Sequence, residues 1–435
     1  FGPTMDDNAF FAALDLDLPP LADLKQAVET GDLPRARKAY ADHVRQRQWP
    51  KWTSDWRDHP MRGVTVPKPE EDKDPESWDY YSQFVTVDWK GWKKFTFRKE
   101  DFPTRTFVEG TGWRGKQPIG WHWIQYLKLN ASGWGLTPDA ETVLHFDDIR
   151  LVGRERSVTL ADFEAEKHTF SGLEYSQEQA KGGTGSGRWQ NMATKTGITC
   201  RRLPHDWTEF DALELWIHAD KATNARFILV LDSDPPKRSE KAEKLIRKEF
   251  SYSYSGRAWP ITFDGLIDWH ANPTEGPART HLWNEAINRH FHFSTLGDSY
   301  WSTGDERYAE ALIEHWMDWI YRNPPPLMSS GNRTAMTNCT FQTLTTGIRL
   351  EGIWPNAMYR CLGSSHVTHD AIVTIAKSVA DQARHLVKNP TGGNWLTEES
   401  MGIYTAGMLF PEFKEAAEWR RLAIERLNRQ LDEDV

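Results

Sequence analysis

Residues 392–413 read Gly-Gly-Asn-Trp-Leu-Thr-Glu-Glu-Ser-Met-Gly-Ile-Tyr-Thr-Ala-Gly-Met-Leu-Phe-Pro-Glu-Phe. A glycine pair delivers a polar Asn394-Trp395 onto the start of a helix. Small residues at Gly402 and Ala406 lie one helical turn apart, so a second helix can pack close against this face. The run then stops at the Phe410-Pro411-Glu412-Phe413 turn, because proline cannot continue the helix. Helices of this kind with polar groups at one mouth describe a helical toroid with a site at one end.

Similar helical patterns surround it. Residues 9–48 read as helices, with Asp32-Leu33-Pro34 as a cap followed by proline in a first turn. Asp305-Glu306-Arg307-Tyr308 starts a helix that ends near Asn323-Pro324. A run opens at Trp283 and passes through Asn288-Arg289-His290 to Leu296. Further helices are expected over about 340–360, 367–387, 396–409 and 412–432. No heptad persists, which argues against a coiled coil. Between about 78 and 255 the texture changes to period-two runs: 84–87, 95–97, 124–129, 143–146, 212–217 and 225–231. Such alternation, broken by Gly, Pro and Asp, reads as a β-sandwich. Phe146-Asp147-Asp148-Ile149-Arg150-Leu151 resembles the last strand of carbohydrate-binding jelly rolls, and Asp162-Phe163-Glu164 resembles a first strand. The ending precedes the beginning, so one circularly permuted jelly roll is preferred over two incomplete sandwiches, each too small to bury a face.

The expected fold class is therefore α+β and multidomain: an (α/α) toroid, incomplete within this chain, carrying an inserted jelly-roll-like β-sandwich. Residues 1–77 supply N-terminal helices and a Pro-rich linker, 78–255 the insertion, and 256–435 the toroid. The net charge of −9 argues against a nucleic-acid partner. No apolar run reaches the ~18–20 residues of a membrane span. The three cysteines, Cys200, Cys339 and Cys361, show neither metal-ligand nor disulfide spacing. Tryptophan, at 22 residues, is abundant enough to serve both core and sugar stacking. No leader is visible at Phe1, and the expectation is a mature form of a secreted or periplasmic protein.

The motifs also resemble a known family. Ile267-Asp268-Trp269-His270-Ala271-Asn272-Pro273-Thr274, then Trp283, Asn288-Arg289-His290, Tyr300 through Tyr308, Thr346-Gly347-Ile348-Arg349 and the Asn394 block follow in the order of the heparinase II/III-like polysaccharide lyases. That resemblance covers about 265–435 and, more weakly, 20–50. It implies cleavage of an acidic, uronate-containing polysaccharide by β-elimination, with Asn394 binding the uronate carboxylate. It also implies a C-terminal β-sheet domain or chain that supplies a Tyr and a His beyond residue 435. The resemblance allows a structural divalent metal in that sheet domain, yet no ligand set or other cofactor is identified by these residues, and oligomeric state is left open.

Each site residue has a second reading. Asn394 suits an N-cap as well as a carboxylate donor. Arg349 can hold a carboxylate or sulfate bidentately, or be a structural arginine paired with Glu351 or another acid. His290 can carry protons near neutrality or sit satisfied in the core. Trp395 and Trp354 fit sugar platforms or core; Gln342 and Asn338 fit a cleft wall. Glu398 and Glu399 look like paired carboxylates, although first-turn acids commonly complement the helix dipole. Trp89, Trp92, Trp121 and Trp123 are sugar-binding candidates of the sandwich, the last two on one strand face. Two other functions remain in view: a glycoside hydrolase using Glu398 or Asp268, and a non-catalytic polysaccharide-binding protein.

Overall fold

The computed structural model of the chain describes residues 2–59, 80–102, 120–166, 168–233, 238–326 and 340–434. The chain divides into two compact units, residues 63–237 and residues 1–62 with 238–435.

The first unit is built from strands. A five-stranded antiparallel sheet runs in the order β1 (Tyr80–Thr86), β11 (Arg226–Asp232), β3 (Tyr126–Asn130), β9 (Gly197–Cys200) and β6 (Phe170–Ser171). A second antiparallel sheet runs β2 (Gly91–Arg98), β10 (Ala212–Ala219), β4 (Leu144–Val152), β8 (Ser186–Trp189) and β7 (Glu174–Ser176), with β5 (Ser157–Ala161) also on β4. Alternation decides which side chains go inward. Leu213, Leu215 and Ile217 of β10 join Phe227, Leu229 and Leu231 of β11 in one buried core drawn from both sheets. Ile228 and Val230, on the opposite face of β11, are buried in a smaller cluster with Tyr80, Phe84, Trp134 and Leu136. That double burial explains the continuous apolar run at 227–231. Trp121 and Trp123 depart from the expectation of a shared strand face. They lie in a turn before β3, where Trp121 stacks on Tyr81 at 3.8 Å and the buried Trp123 stacks on His205.

The second unit is mostly helical. Its N-terminal part holds α1 (Asp7–Ala12), α2 (Ala22–Glu29) and α3 (Leu33–Gln46). After the sheet unit come α4 (Glu240–Ile246), the hairpin β12 (Glu249–Tyr254) and β13 (Arg257–Thr262), then α5 (Leu282–Asn288), α6 (Phe291–Thr303) and α7 (Glu306–Arg322). The final helices are α8 (Thr343–Ile348), α9 (Trp354–Cys361), α10 (His369–Lys388), α11 (Asn394–Leu409) and α12 (Ala416–Asp434). The sequence boundary at 255 falls inside the hairpin. Ala242, Leu245, Phe250 and Trp259 pack into the helical core, so 238–262 goes with the helices.

The N-terminal helices share that core. Phe10, Leu24, Tyr40 and Val44 join Ile372, Val379, Phe413 and Trp419 in it. Ion pairs reinforce the seam: Lys377 meets Asp7 at 2.6 Å and Arg37 meets Asp370 at 2.8 Å. The expected cap is in place, the Asp32 side chain accepting from the Arg35 amide, and Asp305 caps α7 in the same way by accepting from the Arg307 amide. One expected continuous run is broken: α5 and α6 separate at His290, whose φ of 59° is left-handed. A second irregularity is the π-helical turn at Arg349–Ile353 between α8 and α9. Pro355 follows it and has no N–H to bond back to Glu351.

The Phe-Pro-Glu-Phe turn ends α11 as expected, and the N-terminal helices hold it. Arg47 donates to the Leu409 carbonyl at 2.6 Å and pairs with Glu412, which also meets His43 at 2.7 Å. The Asp15 amide donates to the Glu412 carbonyl at 2.7 Å. Burial pushes the Glu412 carboxyl up, but Arg47 and His43 outweigh it and hold it at about 2. The small face of α11 meets α8. A methyl group at Gly402 would come within 2.9 Å of the Gly347 Cα, and one at Gly347 within 2.6 Å of the Glu398 carbonyl oxygen. Only glycine permits this approach.

Candidate functional site

Asn394 is the first residue of α11 and is exposed; Gly393 occupies the cap position. Its side chain makes no hydrogen bond among the described residues, so it does not serve as the N-cap that its residue type suggests. Trp395 beside it is half-buried, as is Glu398 one turn further on. These three form the part of the predicted set that one helix end brings together.

Glu398 is not solitary. It hydrogen-bonds Glu351, which the π-helical turn presents to it. Burial pushes the Glu351 carboxyl up and the neighbouring Glu398 adds to this, bringing it to about 7. The Glu351 carboxyl is therefore partly protonated near neutral pH. A hydrogen-bonded pair is too close for the roughly 5–10 Å that glycoside hydrolysis needs between its two carboxyls. Asp268, the other hydrolase candidate, accepts from the His270 amide at 2.9 Å in a surface turn.

The remaining predicted residues lie in the core. Arg349 is 0% exposed. Its guanidinium donates to Gln382 Oε1 at 2.9 Å, the Asn288 carbonyl at 2.7 Å and Thr346 Oγ1 at 3.1 Å, and it lies over the Trp319 ring at 4.4 Å. The buried guanidinium is thus held inside the core, which goes against the expectation of an anion-binding side chain in a cleft and agrees with a structural arginine. His290 is likewise buried. Its Nδ1 accepts from Trp354 Nε1 at 2.8 Å, and Trp269, Phe293 and Trp319 surround it. Burial first, then the Arg349 charge, hold its pKa well below the ordinary value, so it is not a proton carrier at neutral pH. Trp354 is core rather than platform. Gln342 is buried too, donating to Glu285 Oε1 at 2.8 Å and accepting from the Thr345 hydroxyl at 2.7 Å. Asn338 and Cys339 lie outside the described residues. In the sheet unit, Trp89 and Trp92 are partly exposed; Lys93 lies over the Trp89 ring at 5.0 Å.

The sequence reading missed the buried imidazoles as a group. His290, His292 and His315 lie in contact, ring to ring at 5.7 and 5.6 Å. Among the described residues no group of three His, Cys, Asp or Glu is arranged to hold a metal, and no helix is long and apolar enough to cross a membrane. Burial lowers His59, His315 and His385 to about 4. Their folded pKa values lie below the unfolded value of about 6.5, so the native state binds fewer protons than the unfolded state in that interval. Their stability contribution is complete above pH 6.5 and is lost as pH falls toward 4, on the order of 3 kcal/mol for each group. Glu412 adds to the loss only below about 4.5. Glu351 acts in the opposite sense: its contribution is complete below 4.5 and is lost as pH rises through about 7. The midpoint of urea unfolding should therefore drop steeply between pH 6.5 and 4.5. A flat profile over that interval would show that these imidazoles are not held neutral.

Residues 229–435 match the family model described as heparinase II/III N-terminus. The chain is 26% identical over 181 residues to a heparin-sulfate lyase of Bacteroides thetaiotaomicron, covering 41% of this chain and 24% of that protein. It is 26% identical over 206 residues to a heparin-sulfate lyase of Bacteroides stercoris, covering 45% and 30%. The matches thus span under a third of these relatives' lengths. Among solved structures, a heparinase III with methylated lysines has a TM-score of 0.49 at 17% identity, covering 99% of this chain and 41% of that one. The resemblance to heparinase II/III-like lyases holds for the segment that contains the Asn394 helix.

Proposed function

We propose that the protein is a polysaccharide lyase that cleaves a uronic-acid-containing polymer by β-elimination, with a glycosaminoglycan as the favoured substrate class and alginate as the other. The observation that carries this is the exposed Asn394 amide at the start of α11, uncommitted among the described residues and within the segment that matches the heparinase II/III N-terminus. The substrate class follows from the matched relatives, named heparin-sulfate lyases.

In such a reaction a base removes the C5 proton, next to a carboxylate, and the 4-linked sugar leaves. Negative charge builds on that carboxylate in the transition state. A neutral donor aimed at it stabilises the transition state more than the ground state. Asn394 supplies such a donor without titrating, and Trp395 offers an adjoining aromatic face. The helical unit is read as part of an (α/α) toroid and the sheet unit as a jelly-roll insertion. The proton-transfer Tyr and His are assigned to a sheet domain outside this chain, and the site of action is secreted or periplasmic, where such polymers are met.

The test is ultraviolet absorbance during incubation with heparan sulfate, other glycosaminoglycans and alginate. It uses the longest natural form of the protein beside residues 1–435. An unsaturated uronate from the long form alone is the expected result. New reducing ends without that absorbance would replace elimination with hydrolysis. Binding without either product would make the protein a polysaccharide-binding one.

A further inference from the structure

Glu399 follows Glu398 in α11 and projects about 100° further round the helix. It is fully buried, and its carboxylate accepts from the Thr391 amide at 2.9 Å and the Thr391 hydroxyl at 2.6 Å. Thr391 precedes Asn394 by three residues. Between them lie Gly392 and Gly393, the latter at φ 60° and ψ −146°, a conformation essentially limited to glycine. Two glycines leave the segment free to take many paths, and a buried carboxylate bonded to its first residue removes that freedom.

The surroundings hold Glu399 in place. Arg426 of α12 donates to the Leu386 and Val387 carbonyls, and its charge acts on Glu399. The start of α11 is also held at Thr397, whose hydroxyl donates to Gln430 Oε1 at 3.3 Å, and, one turn on from Asn394, at Glu398, whose carbonyl abuts Gly347. The helix end is thus rigid against α8 and α12, and Glu399 fastens the incoming loop to it.

We propose that Glu399 is a positioning residue that sets the place of Asn394 through Thr391. This rests on the reading of Asn394 as the carboxylate donor. A donor must sit within a few tenths of an ångström of its working position, and a misplacement of about 1 Å costs roughly 10²-fold in rate.

The experiment uses the longest natural form of the protein and heparan sulfate. Glu399→Ala should lose roughly 10²-fold in kcat with KM changed less than about threefold. Glu399→Gln, which keeps one acceptor oxygen, should recover most of that loss. The double variant Asn394→Ala/Glu399→Ala should be no slower than Asn394→Ala alone, because the two act as one unit. Amide hydrogen exchange across 389–396 should rise in Glu399→Ala and return in Glu399→Gln. If Glu399→Ala does not fold, Thr391→Val removes the hydroxyl half of the clamp without touching a charge; about a tenfold kcat loss at unchanged melting temperature is then expected. Wild-type kcat in these variants, unchanged exchange, or a fully additive double variant overturns the positioning role. A slow Asn394→Ala beside a fully active Glu399→Ala sinks this proposal alone, whereas a fully active Asn394→Ala sinks the reading of Asn394 itself.

Discussion

Asn394→Ala is expected to lower kcat for unsaturated-uronate formation by roughly 10²–10³-fold while leaving the melting temperature within about a degree. The rate effect follows from where charge develops. The C5 proton is weakly acidic so long as the adjacent carboxylate carries its full charge, and a donor to that carboxylate acts most strongly when the carbanion forms. The stability effect follows from the structure: Asn394 is exposed, and its side chain has no hydrogen-bond partner among the described residues. Asn394→Asp should be slower still, because an ionised side chain both lacks the donor and repels the substrate carboxylate. KM should change much less than kcat in both variants. Steady-state kinetics on a purified uronate oligosaccharide, with thermal unfolding on the same samples, checks this. Near wild-type kcat in Asn394→Ala would remove the amide from the mechanism.

Much of the helical layout is legible because its signals are local. Asp32 before Leu33-Pro34 and Asp305 before Glu306 are caps that act within one turn, and both are in place. Gly402 announces a close helix approach, although only the structure shows that Gly347 of α8 is what approaches. Interruptions set by distant packing are illegible. The left-handed His290 that splits α5 from α6 is held by Trp354, 64 residues away. The hairpin at 249–262 alternates like the sandwich strands before it, yet Phe250 and Trp259 pack among helices.

The site was less legible, and for one physical reason. Polar residue types suggest exposure, but a polar side chain is buried wherever its hydrogen bonds are met. Gln342 satisfies that condition through Glu285 and Thr345, and His290 is bonded at Nδ1 by Trp354, partners that no sequence spacing reveals. The same reasoning explains the two adjacent acids. Glu398 and Glu399 are indistinguishable in sequence as adjacent acids near a helix start, whereas their surroundings separate them: one hydrogen-bonds Glu351, the other clamps Thr391. The Thr391–Glu399 clamp had one faint signal in the sequence, an acid placed shortly after a glycine pair.

Arg349 provides the sharpest separation between a structural role and a substrate role. Arg349→Ala is expected to destabilise the helical unit by on the order of 3–5 kcal/mol, a drop of roughly 10 °C in melting temperature, or to prevent folding. The cost comes from what is left behind. Gln382 Oε1, the Asn288 carbonyl and the Thr346 hydroxyl would lose their donor in a place that water does not reach. The Trp319 face would also lose the cation lying over it. Asn288 is itself a junction, since its amide group donates to the Trp269 and Asn284 carbonyls and its Oδ1 accepts from Trp319 Nε1 at 3.0 Å. The defect should therefore spread through α5, α7, α8 and α10 rather than stay at one contact. Arg349→Lys keeps the charge but replaces a planar fork with a single ammonium, so it should recover only part of the loss. Were Arg349 instead an anion-binding residue, Arg349→Ala would unfold at the wild-type temperature and show a raised KM. Urea and thermal unfolding of both variants, measured alongside their KM for heparan sulfate, distinguishes the two outcomes directly.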